Sequence, residues 1–510
     1  MGMTTDRRRF LAGGAALAGT INFIGIGSAR AQQTGVLTFG LSSYPPSFMP
    51  WAQNGTAAGT VKLLMHRGLL SYGPDGALRG ELAESWDVDD AGAWTFKLRK
   101  ATFHDGKPVT SADVKWNIEQ VAASDSTGYF RGQFQTITAV DTPDELTVRI
   151  TTAQPTATLP GWFAHYNMPI VPTGSDEEAL VGAGPFKFDK RERGVAIDLV
   201  AYPDYYKPGL PKLAGVRAIV YADENLRVAA LESGDIDLIE YVPWQAMEGI
   251  GKNEELALDA VDGPFMYLTF NGSRPPFNDA RVRKAVAHAI NRDDIVAAAF
   301  YGRGAALEHL PIAEKSEFFN ADLANGWAYD PELAKKLLAE AGHPTGFSCN
   351  LLSTAQYGMH QSTAEVVQAH LSAVGINVTL NLPDWSTRVQ LGNSGQYDLA
   401  VMGTSADSND PDGLSNIVDG TLPAGFTRSV GFTVEAVDKA LAEGRVEFDS
   451  TKRKEIYHRM EAAAIEAAPI VGLAWRSQGY AMKKTVRGFS NMPGQLTFYS
   501  GITLEETELS

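Results

Sequence analysis

Residues 94–118 read WTFKLRKATFHDGKPVTSADVKWNI, and this stretch indicates the kind of fold. Apolar and polar residues alternate over 94–98, which predicts a strand that is buried on one face. A turn over 104–108 follows, and Thr110 then precedes Asp113 by three residues. Because this is the spacing of a capping box, we expect a helix to begin there.

The same mixture of elements continues on both sides of this stretch. Residues 36–41 and 470–475 are apolar runs typical of buried strands. Asn278 is placed to cap a helix over 280–290, and the pair Asp330-Pro331 opens another helix. Strands and helices alternate along the chain, so the predicted class is α/β with mixed sheets.

Composition excludes several classes of protein. The chain has 510 residues, 44% of them hydrophobic and 20% charged, an ordinary globular composition of about three domains. It carries 60 Asp and Glu residues against 44 Lys and Arg, a net charge of −16. Nucleic-acid-binding proteins usually carry a basic face, so we expect no nucleic-acid partner. Cys349 is the single cysteine, which excludes an intramolecular disulfide.

Residues 1–31 have the regions of a secretory signal peptide in the usual order. Arg7 and Arg8 open the segment, an apolar and Gly-rich run covers 11–27, and Ala29-Arg30-Ala31 offers a cleavage site. The arginine pair followed by x-Phe-Leu resembles the twin-arginine export signal. The apolar run is short for a membrane span, and no cysteine near the cleavage site could carry a lipid. We therefore predict a soluble, unanchored protein of the periplasm that does not span a membrane.

The motifs of common enzymes are absent beyond residue 31. The chain contains no G-x-S-x-G, P-loop, G-x-G-x-x-G or H-E-x-x-H pattern, and its nine His do not fall at metal-ligand spacings. Segment 407–413 looks at first like a calcium loop, but Pro411 and Asp412 stand where Asp or Asn and then Gly are required. We expect a protein that is not an enzyme, with no catalytic residue, no metal and no cofactor.

Four groups of segments carry a family resemblance. They span the chain after residue 31 almost from end to end: 82–86 with 94–99, 103–108 and 112–114; 182–186 with 202–206; 270–271 with 276–285; and 329–334 with 375–378. As a set, they resemble extracellular solute-binding protein family 5, the dipeptide, oligopeptide and nickel-type periplasmic binding proteins of ABC importers.

The resemblance implies a two-lobed α/β fold, the periplasmic-binding-protein fold of type II, cluster C. It implies an extra subdomain in the first lobe and a hinge of two strands, which we expect near 270–276 and 470–475. The predicted divisions are these: a signal peptide over 1–31, lobe I over 32–275 with an inserted subdomain at about 73–185, lobe II over 276–470, and a C-terminal return to lobe I over 471–510.

The resemblance also implies a function. A peptide or a small amine-bearing solute would bind between the lobes, and the protein, a monomer, would deliver it to the permease subunits of an ABC importer. Ligand that contacts both lobes would favour the closed form. Other solutes remain open, namely chelated nickel, an opine or a sugar. An exported hydrolase on the same scaffold is a further alternative, since a fold alone does not define a function.

Asp407 is the most informative candidate for the binding site. It matches the position at which the dipeptide-binding branch pairs an Asp with the α-ammonium group of its ligand, and a desolvated ammonium needs a charged acceptor. Two positions depart from that branch. Thr404 stands where a Trp is usual, and Thr354 stands where an Arg binds the peptide carboxylate. Arg388 and Arg476 are the candidates to replace that Arg.

Other candidate ligand-binding residues come from their places in the predicted elements. Ser43 and Tyr44 follow the first strand, and three aromatic residues, Tyr357, Trp385 and Trp475, are of the type that lines ligand clefts. Thr404 and Arg388 complete the predicted set around Asp407. Aromatic residues of this kind are more often part of a hydrophobic core than in contact with a ligand.

The export signal can be tested directly. Changing Arg7 and Arg8 together to Lys should retain the precursor in the cytoplasm, because the twin-arginine pathway reads the arginine pair. Fractionation of cells that express the wild type and the variant measures this. Normal periplasmic levels of the variant would contradict the assignment and favour the general secretory route.

Overall fold

The computed structural model describes part of the chain. The described residues are 34–52, 55–176, 178–422 and 425–510. The predicted signal segment 1–31 lies outside them. No helix within the described ranges is long and apolar enough to cross a membrane.

The strands and helices alternate as the sequence predicts. The strands are β1 (Thr34–Leu41), β2 (Leu70–Tyr72), β3 (Leu78–Gly80), β4 (Ala83–Val88), β5 (Trp94–Leu98), β6 (Ile137–Asp144), β7 (Thr147–Thr152), β8 (Phe186–Glu192), β9 (Ala196–Ala201), β10 (Leu213–Val220), β11 (Leu238–Ile239), β12 (Leu256–Phe270), β13 (Gly304–Ala306), β14 (Phe347–Leu352), β15 (Ile376–Asn381), β16 (Leu399–Thr404), β17 (Val471–Lys483), β18 (Val486–Arg487) and β19 (Glu508–Leu509).

The helices are α1 (Thr56–Met65), α2 (Ser111–Ala122), α3 (Arg131–Phe134), α4 (Leu159–Trp162), α5 (Glu224–Glu232), α6 (Trp244–Lys252), α7 (Ala280–Ala289), α8 (Arg292–Phe300), α9 (Pro331–Glu340), α10 (Gly358–Ala373), α11 (Trp385–Asn393), α12 (Ser415–Val418), α13 (Glu435–Val446) and α14 (Ser450–Ala467). Short 3-10 helices cover Ala321–Leu323, Pro411–Leu414 and Gly494–Glu505.

Residues 94–118 form the predicted strand, turn and helix. Strand β5 buries Trp94, Phe96 and Leu98, while the residues between them are more exposed. Helix α2 begins after a capping box, in which the backbone N–H of Thr110 donates to Asp113 Oδ2 at 2.9 Å. The four-stranded sheet β4-β5-β7-β6 packs a core of its own, and α2 contributes to that core. These elements form a subdomain.

Of the two helix caps predicted later in the chain, one is confirmed and the other is wrong. Asp330 caps α9, and its carboxylate accepts a hydrogen bond from the backbone N–H of Leu333. The cap of α7 is Asp279 and not Asn278, so that prediction was wrong by one residue. Asp279 directly precedes the helix, and its Oδ1 accepts from the backbone N–H of Arg281 at 2.8 Å.

One mixed sheet forms the centre of the molecule. Its order is β15-β14-β16-β12-β17-β11-β1-β10-β9-β8, with β13 also paired to β17. We call the part around β1 and β8–β11, together with the subdomain, the first lobe, and the part around β14–β16 the second lobe. Parallel pairs occur in both lobes, β1–β10 and β1–β11 in the first and β14–β15 and β14–β16 in the second, whereas β9–β10 and β12–β16 are antiparallel.

Strands β12 and β17 form an antiparallel pair that connects the two lobes. From Leu256 to Asp262, β12 pairs with the part of β17 that also contacts β11 of the first lobe. From Phe265 onward, β12 pairs with β16 of the second lobe on its other side. The register of the pair shifts between Asp262 and Phe265. The two strands are therefore shared by the lobes, and the predicted two-strand connection is present.

The first crossing strand lies earlier in the chain than 270–276. It ends at Phe270, and the two residues after it pack into the second lobe. The backbone N–H of Asn271 donates to the carbonyl of Asp398 at 2.9 Å, and the backbone N–H of Gly272 donates to the carbonyl of Val430 at 2.8 Å. The sequence does not reveal this, because Asp259 and Asp262 interrupt the apolar pattern of the strand.

A buried ionic cluster ties the C-terminal segment to the first lobe. Arg67 Nη2 lies 2.7 Å from Glu505 Oε2, and Lys207 Nζ bridges Glu505 Oε1 at 2.7 Å and Glu81 Oε2 at 2.8 Å. Both carboxylates are buried. Burial alone would raise the pKa of Glu505, but Arg67 and Lys207 lower it to about 2. Residues from both ends of the chain thus build the first lobe.

Replacing Arg67 by Met should destabilise the protein strongly. Breaking a buried ion pair from one side typically costs about 3–5 kcal/mol, because the remaining charge stays buried without compensation. The depressed pKa of Glu505 gives stability that is complete above the unfolded-state value of about 4.3 and is lost as the pH falls towards 2. The difference between wild type and variant should therefore be largest near pH 7 and shrink below about pH 4.

Chemical denaturation at several pH values measures this difference. Arg149→Met is the matched control, because Arg149 forms a half-exposed ion pair with Asp89. It should change the free energy of unfolding by less than about 1 kcal/mol. Equal effects of the two substitutions would show that the buried cluster does not stabilise the first lobe.

Candidate functional site

A cavity of about 1690 Å³ lies between the two lobes, beside the crossing strands. Its lining comes from the first lobe, the second lobe and the strand pair, and includes Tyr72, Phe130, His165, Asp262, His309, Asp407, Asn416, Arg445 and Trp475. Eight carboxylates line it against three Lys and Arg side chains. A cavity of this kind favours a solute that carries positive charge.

Asp407 lies on the cavity wall and contacts both lobes. It follows β16 by three residues, and its side chain is 23% exposed. Tyr129, in the first lobe, donates its hydroxyl to Asp407 Oδ1 at 2.6 Å, and Asn416 Nδ2 donates to Oδ2 at 3.0 Å. Tyr499 donates its hydroxyl to the carbonyl of Asp407 at 2.9 Å. The two lobes are thus closed on each other at this residue.

The charge of Asp407 is not matched by a neighbouring cation. Asp410 and Asp412, on the same wall, pair with Arg453 at 2.8 Å and Arg445 at 2.7 Å. Asp407 has His165 Nε2 at 4.0 Å, but burial lowers the pKa of His165 to about 3, so this ring is neutral. Burial also raises the pKa of Asp407 to about 6. A cation brought by a ligand would stabilise the ionised form of Asp407.

Three of the predicted residues lie together in the second lobe. The rings of Tyr357 and Trp385 meet edge to face with centroids 5.4 Å apart, and Arg388 Cζ lies 5.7 Å from the Trp385 ring. Arg388 is fully buried and donates to the carbonyl of Val401 at 2.8 Å. The His360 ring lies 5.7 Å from Trp385. This group is separate from the residues that line the large cavity.

The remaining predicted residues are dispersed. Ser43 is exposed, and Tyr44 packs against the core of the first lobe with its hydroxyl buried. Thr404 ends β16 and is half-buried. Trp475 lines the cavity and packs edge to face on Phe265 at 5.7 Å. The structure therefore brings Asp407 and Trp475 to one cavity and leaves Ser43, Tyr44 and Thr404 outside its lining.

Thr354 occupies the position at which the dipeptide branch has its carboxylate-binding Arg. Its side chain is buried, and its hydroxyl donates to the carbonyl of Pro383 at 2.7 Å. Thr354 thus serves the packing of the second lobe and offers no charge to a ligand.

Several residues of the site were not found by sequence reasoning. Tyr129 approaches Asp407 only in the folded chain, across 278 residues of sequence. Gln495 holds the loop before Asp407, since its Oε1 accepts from Ser405 Oγ and from the backbone N–H of Ala406, both at 2.9 Å. No local pattern marks these residues, because their role depends on contacts between distant segments.

Among the described residues, no group of three or more His, Cys, Asp or Glu side chains is arranged to hold a metal ion. The expectations that the protein has no metal and no cofactor stay predictions.

Comparison with known proteins identifies related chains. Residues 77–425 match the family described as bacterial extracellular solute-binding proteins, family 5 Middle. The glutathione-binding protein GsiB of Pectobacterium atrosepticum is 28% identical over 478 residues, which cover 90% of this chain and 92% of that protein.

Solved structures show the same fold. AgaA from A. tumefaciens R10, in complex with agropinic acid, has 41% identity and a TM-score of 0.86, covering 93% of this chain and 99% of that chain. The periplasmic binding protein DppA from Helicobacter pylori, in complex with peptide STSA, has 23% identity and a TM-score of 0.82, covering 94% and 99%. The likeness to DppA shows the fold alone. Together they confirm the predicted two-lobed fold.

Proposed function

We propose that this chain, which belongs to the bacterial extracellular solute-binding proteins of family 5 and is therefore the solute-binding component of an ABC importer, binds a peptide or a small amine-bearing solute between its lobes. The bound solute is released to the permease subunits. The protein acts by binding and not by catalysis.

One observation supports the proposed class of ligand, a solute with an amine group. Asp407 presents a carboxylate without a cationic partner on the wall of an acidic cavity, and Tyr129 of the opposite lobe contacts the same carboxylate. An ammonium group placed there would pair with Asp407 and contact both lobes. Binding energy that depends on both lobes is what makes a ligand favour the closed form.

An opine is the second candidate. It is favoured by the 41% identity with AgaA, a protein solved with agropinic acid. The glutathione-binding relatives, at 28% identity, favour a peptide. The two candidates differ in chemistry, so the compound recovered from the purified protein distinguishes them.

The cellular arrangement belongs to the same proposal. A twin-arginine signal over 1–31 exports the protein to the periplasm, where it works as a monomer. Lobe I covers 32–275 with the subdomain at about 73–185, lobe II covers 276–470, and 471–510 returns to lobe I. The antiparallel pair of β12 and β17, with its shift of register between Asp262 and Phe265, supports a hinge at that place.

Solute binding should contract the protein. The cross-lobe hydrogen bond from Tyr129 to Asp407 requires closed lobes, so the radius of gyration should fall when solute is added. Thermal stability should rise by mass action, by about 2.7 kcal/mol at a hundredfold excess over the Kd. The measurements are mass spectrometry of compounds released from the purified protein, then X-ray scattering with and without the identified compound. A saturating compound that leaves the radius unchanged would contradict closure.

Replacing Asp407 by Ala should weaken the binding of an amine-bearing solute. Loss of one partner of a buried charge pair typically costs about 2–5 kcal/mol, roughly thirtyfold to several thousandfold in affinity. Wild-type affinity should also fall as the pH drops below about 6, because the carboxyl of Asp407 then takes up a proton and loses its charge. Calorimetry with the recovered compound measures both effects.

Two controls make this test specific. Glu314→Ala removes an exposed acid from the same cavity wall and should change the affinity by less than about 1 kcal/mol. The N-acetylated compound lacks the positive charge, so it should bind weakly to wild type and lose little more in Asp407→Ala. If Asp407→Ala binds the free amine within about threefold of wild type, Asp407 is not the ammonium partner.

A further inference from the structure

The inserted subdomain contacts the second lobe at a place apart from Asp407. The backbone N–H of Ala157, in the loop between β7 and α4, donates to the carbonyl of Arg445 at 2.7 Å. Next to this bond, the ring of Trp94 on β5 lies against the ring of Phe448, with centroids 6.0 Å apart. Arg445 belongs to α13, and Phe448 lies between α13 and α14, which share the core of the second lobe. A backbone hydrogen bond and an aromatic pair thus join the subdomain to the second lobe.

The subdomain side of this contact is held in shape by its own interactions. Trp94 Nε1 donates to the carbonyl of Thr156 at 2.8 Å, which fixes the indole to the loop beside Ala157. The turn before β5 packs closely on the same loop, since a Cβ on Gly92 would lie 2.4 Å from the Cβ of Pro155. The indole and the loop therefore form one preformed surface, and little conformational entropy is lost when the second lobe meets it.

The second-lobe side of the contact is also fixed, but its ring is not part of a core. The guanidinium of Arg445 donates to Asp412 Oδ1 at 2.7 Å and to Asp419 Oδ2 at 3.1 Å, which holds the end of α13 against the loop after β16. Phe448 follows this helix by two residues and is 42% exposed. It belongs to none of the hydrophobic cores of the described chain. Its position therefore serves the contact with Trp94 and not the packing of its own lobe.

The aromatic pair is separate from the groups that would bind a solute. Ala157 and Arg445 line the cavity, whereas Trp94 and Phe448 do not. The cross-lobe hydrogen bond at Asp407 involves a carboxylate that is itself a proposed ligand contact. Here the groups that meet are a backbone N–H, a backbone carbonyl and two aromatic rings. The strength of this contact therefore does not depend on the charge of the solute.

We propose that Trp94 and Phe448, together with the hydrogen bond from Ala157 to Arg445, form a latch that favours the closed form independently of the solute. The inserted subdomain thereby sets the ratio of closed to open protein, while the cavity residues select the solute. When only one form is competent to bind, the apparent Kd is the intrinsic Kd divided by the fraction of that form. A change in the latch therefore changes the affinity for every solute by one common factor. This inference goes beyond the proposed function and does not depend on which solute binds.

Phe448→Ser tests the latch in the mature protein, dialysed free of solute. The substitution removes the half-exposed ring and leaves Trp94 in the core of the subdomain. Because an aromatic pair changes an equilibrium constant by roughly two- to tenfold, the ratio of closed to open protein should fall by that factor. Hydrogen exchange at the Ala157 amide, which has no cross-lobe acceptor in the open form, should accelerate equally. Mass spectrometry of the fragment 153–158 measures the exchange, and X-ray scattering should show a larger radius of gyration.

Two further variants and one internal reference make this test specific. Tyr329→Ser is the matched control, because Tyr329 is also a half-exposed ring of the second lobe but packs on His370 of the same lobe, with centroids 6.0 Å apart. It should leave the exchange of 153–158 and the radius unchanged. Phe448→Tyr keeps the ring and should behave as the wild type does. Exchange of strand β5, the internal reference, should be the same in all these proteins, because the subdomain stays folded.

Each other outcome overturns the latch. Exchange of 153–158 that is unchanged in Phe448→Ser, or equally accelerated in Tyr329→Ser, shows that the ring of Phe448 does not hold the lobes together. Accelerated exchange of β5 in Phe448→Ser shows that the substitution loosens the subdomain itself. If a solute still contracts the wild-type protein in these cases, solute binding stands and only the latch fails. If no solute binds or contracts the wild type, the proposed function fails, whatever the exchange of Phe448→Ser.

Discussion

The hydrogen-bonded pair of β12 and β17 is the constraint on which the rest of the structure depends. These strands belong to both lobes, so the lobes share one sheet and are joined through this pair. The C-terminal 3-10 helix packs directly on it. A Cβ at Gly263 would lie 1.8 Å from the carbonyl oxygen of Gly494, so this approach requires glycine. The helix then carries Gln495 and Tyr499 to the loop that holds Asp407.

This arrangement supports the proposal that closure and ligand binding occur together. Tyr129 and Tyr499 reach the Asp407 loop from the first lobe. Each contact joins the first lobe to the second. Under the proposed function, a solute that contacts both lobes beside Asp407 would therefore favour the closed form.

Buried charges in this protein serve two different purposes. The cluster of Arg67, Lys207, Glu81 and Glu505 is complete in itself, and it joins the two ends of the chain in the first lobe. Asp407 has no cationic partner among the described residues, since its neighbour His165 is neutral. Protein interiors tolerate such charges poorly, and a ligand of opposite charge removes the cost. We therefore associate the unpaired charge with binding and the complete cluster with stability.

The sequence by itself determined the α/β class, the family and local features such as the capping box of Thr110 and Asp113, because each depends on residues close together in the chain. The resemblance to the dipeptide-binding branch, together with the place of Asp407 after a strand, also singled out this residue as a candidate. Only the tertiary structure decided that Tyr129 of the first lobe meets Asp407 of the second. These side chains come from segments that are distant in sequence, and no local pattern encodes which of them meet. Whether a charged side chain is buried without a partner, which is the reason for linking Asp407 to a ligand, is likewise a property of the folded chain.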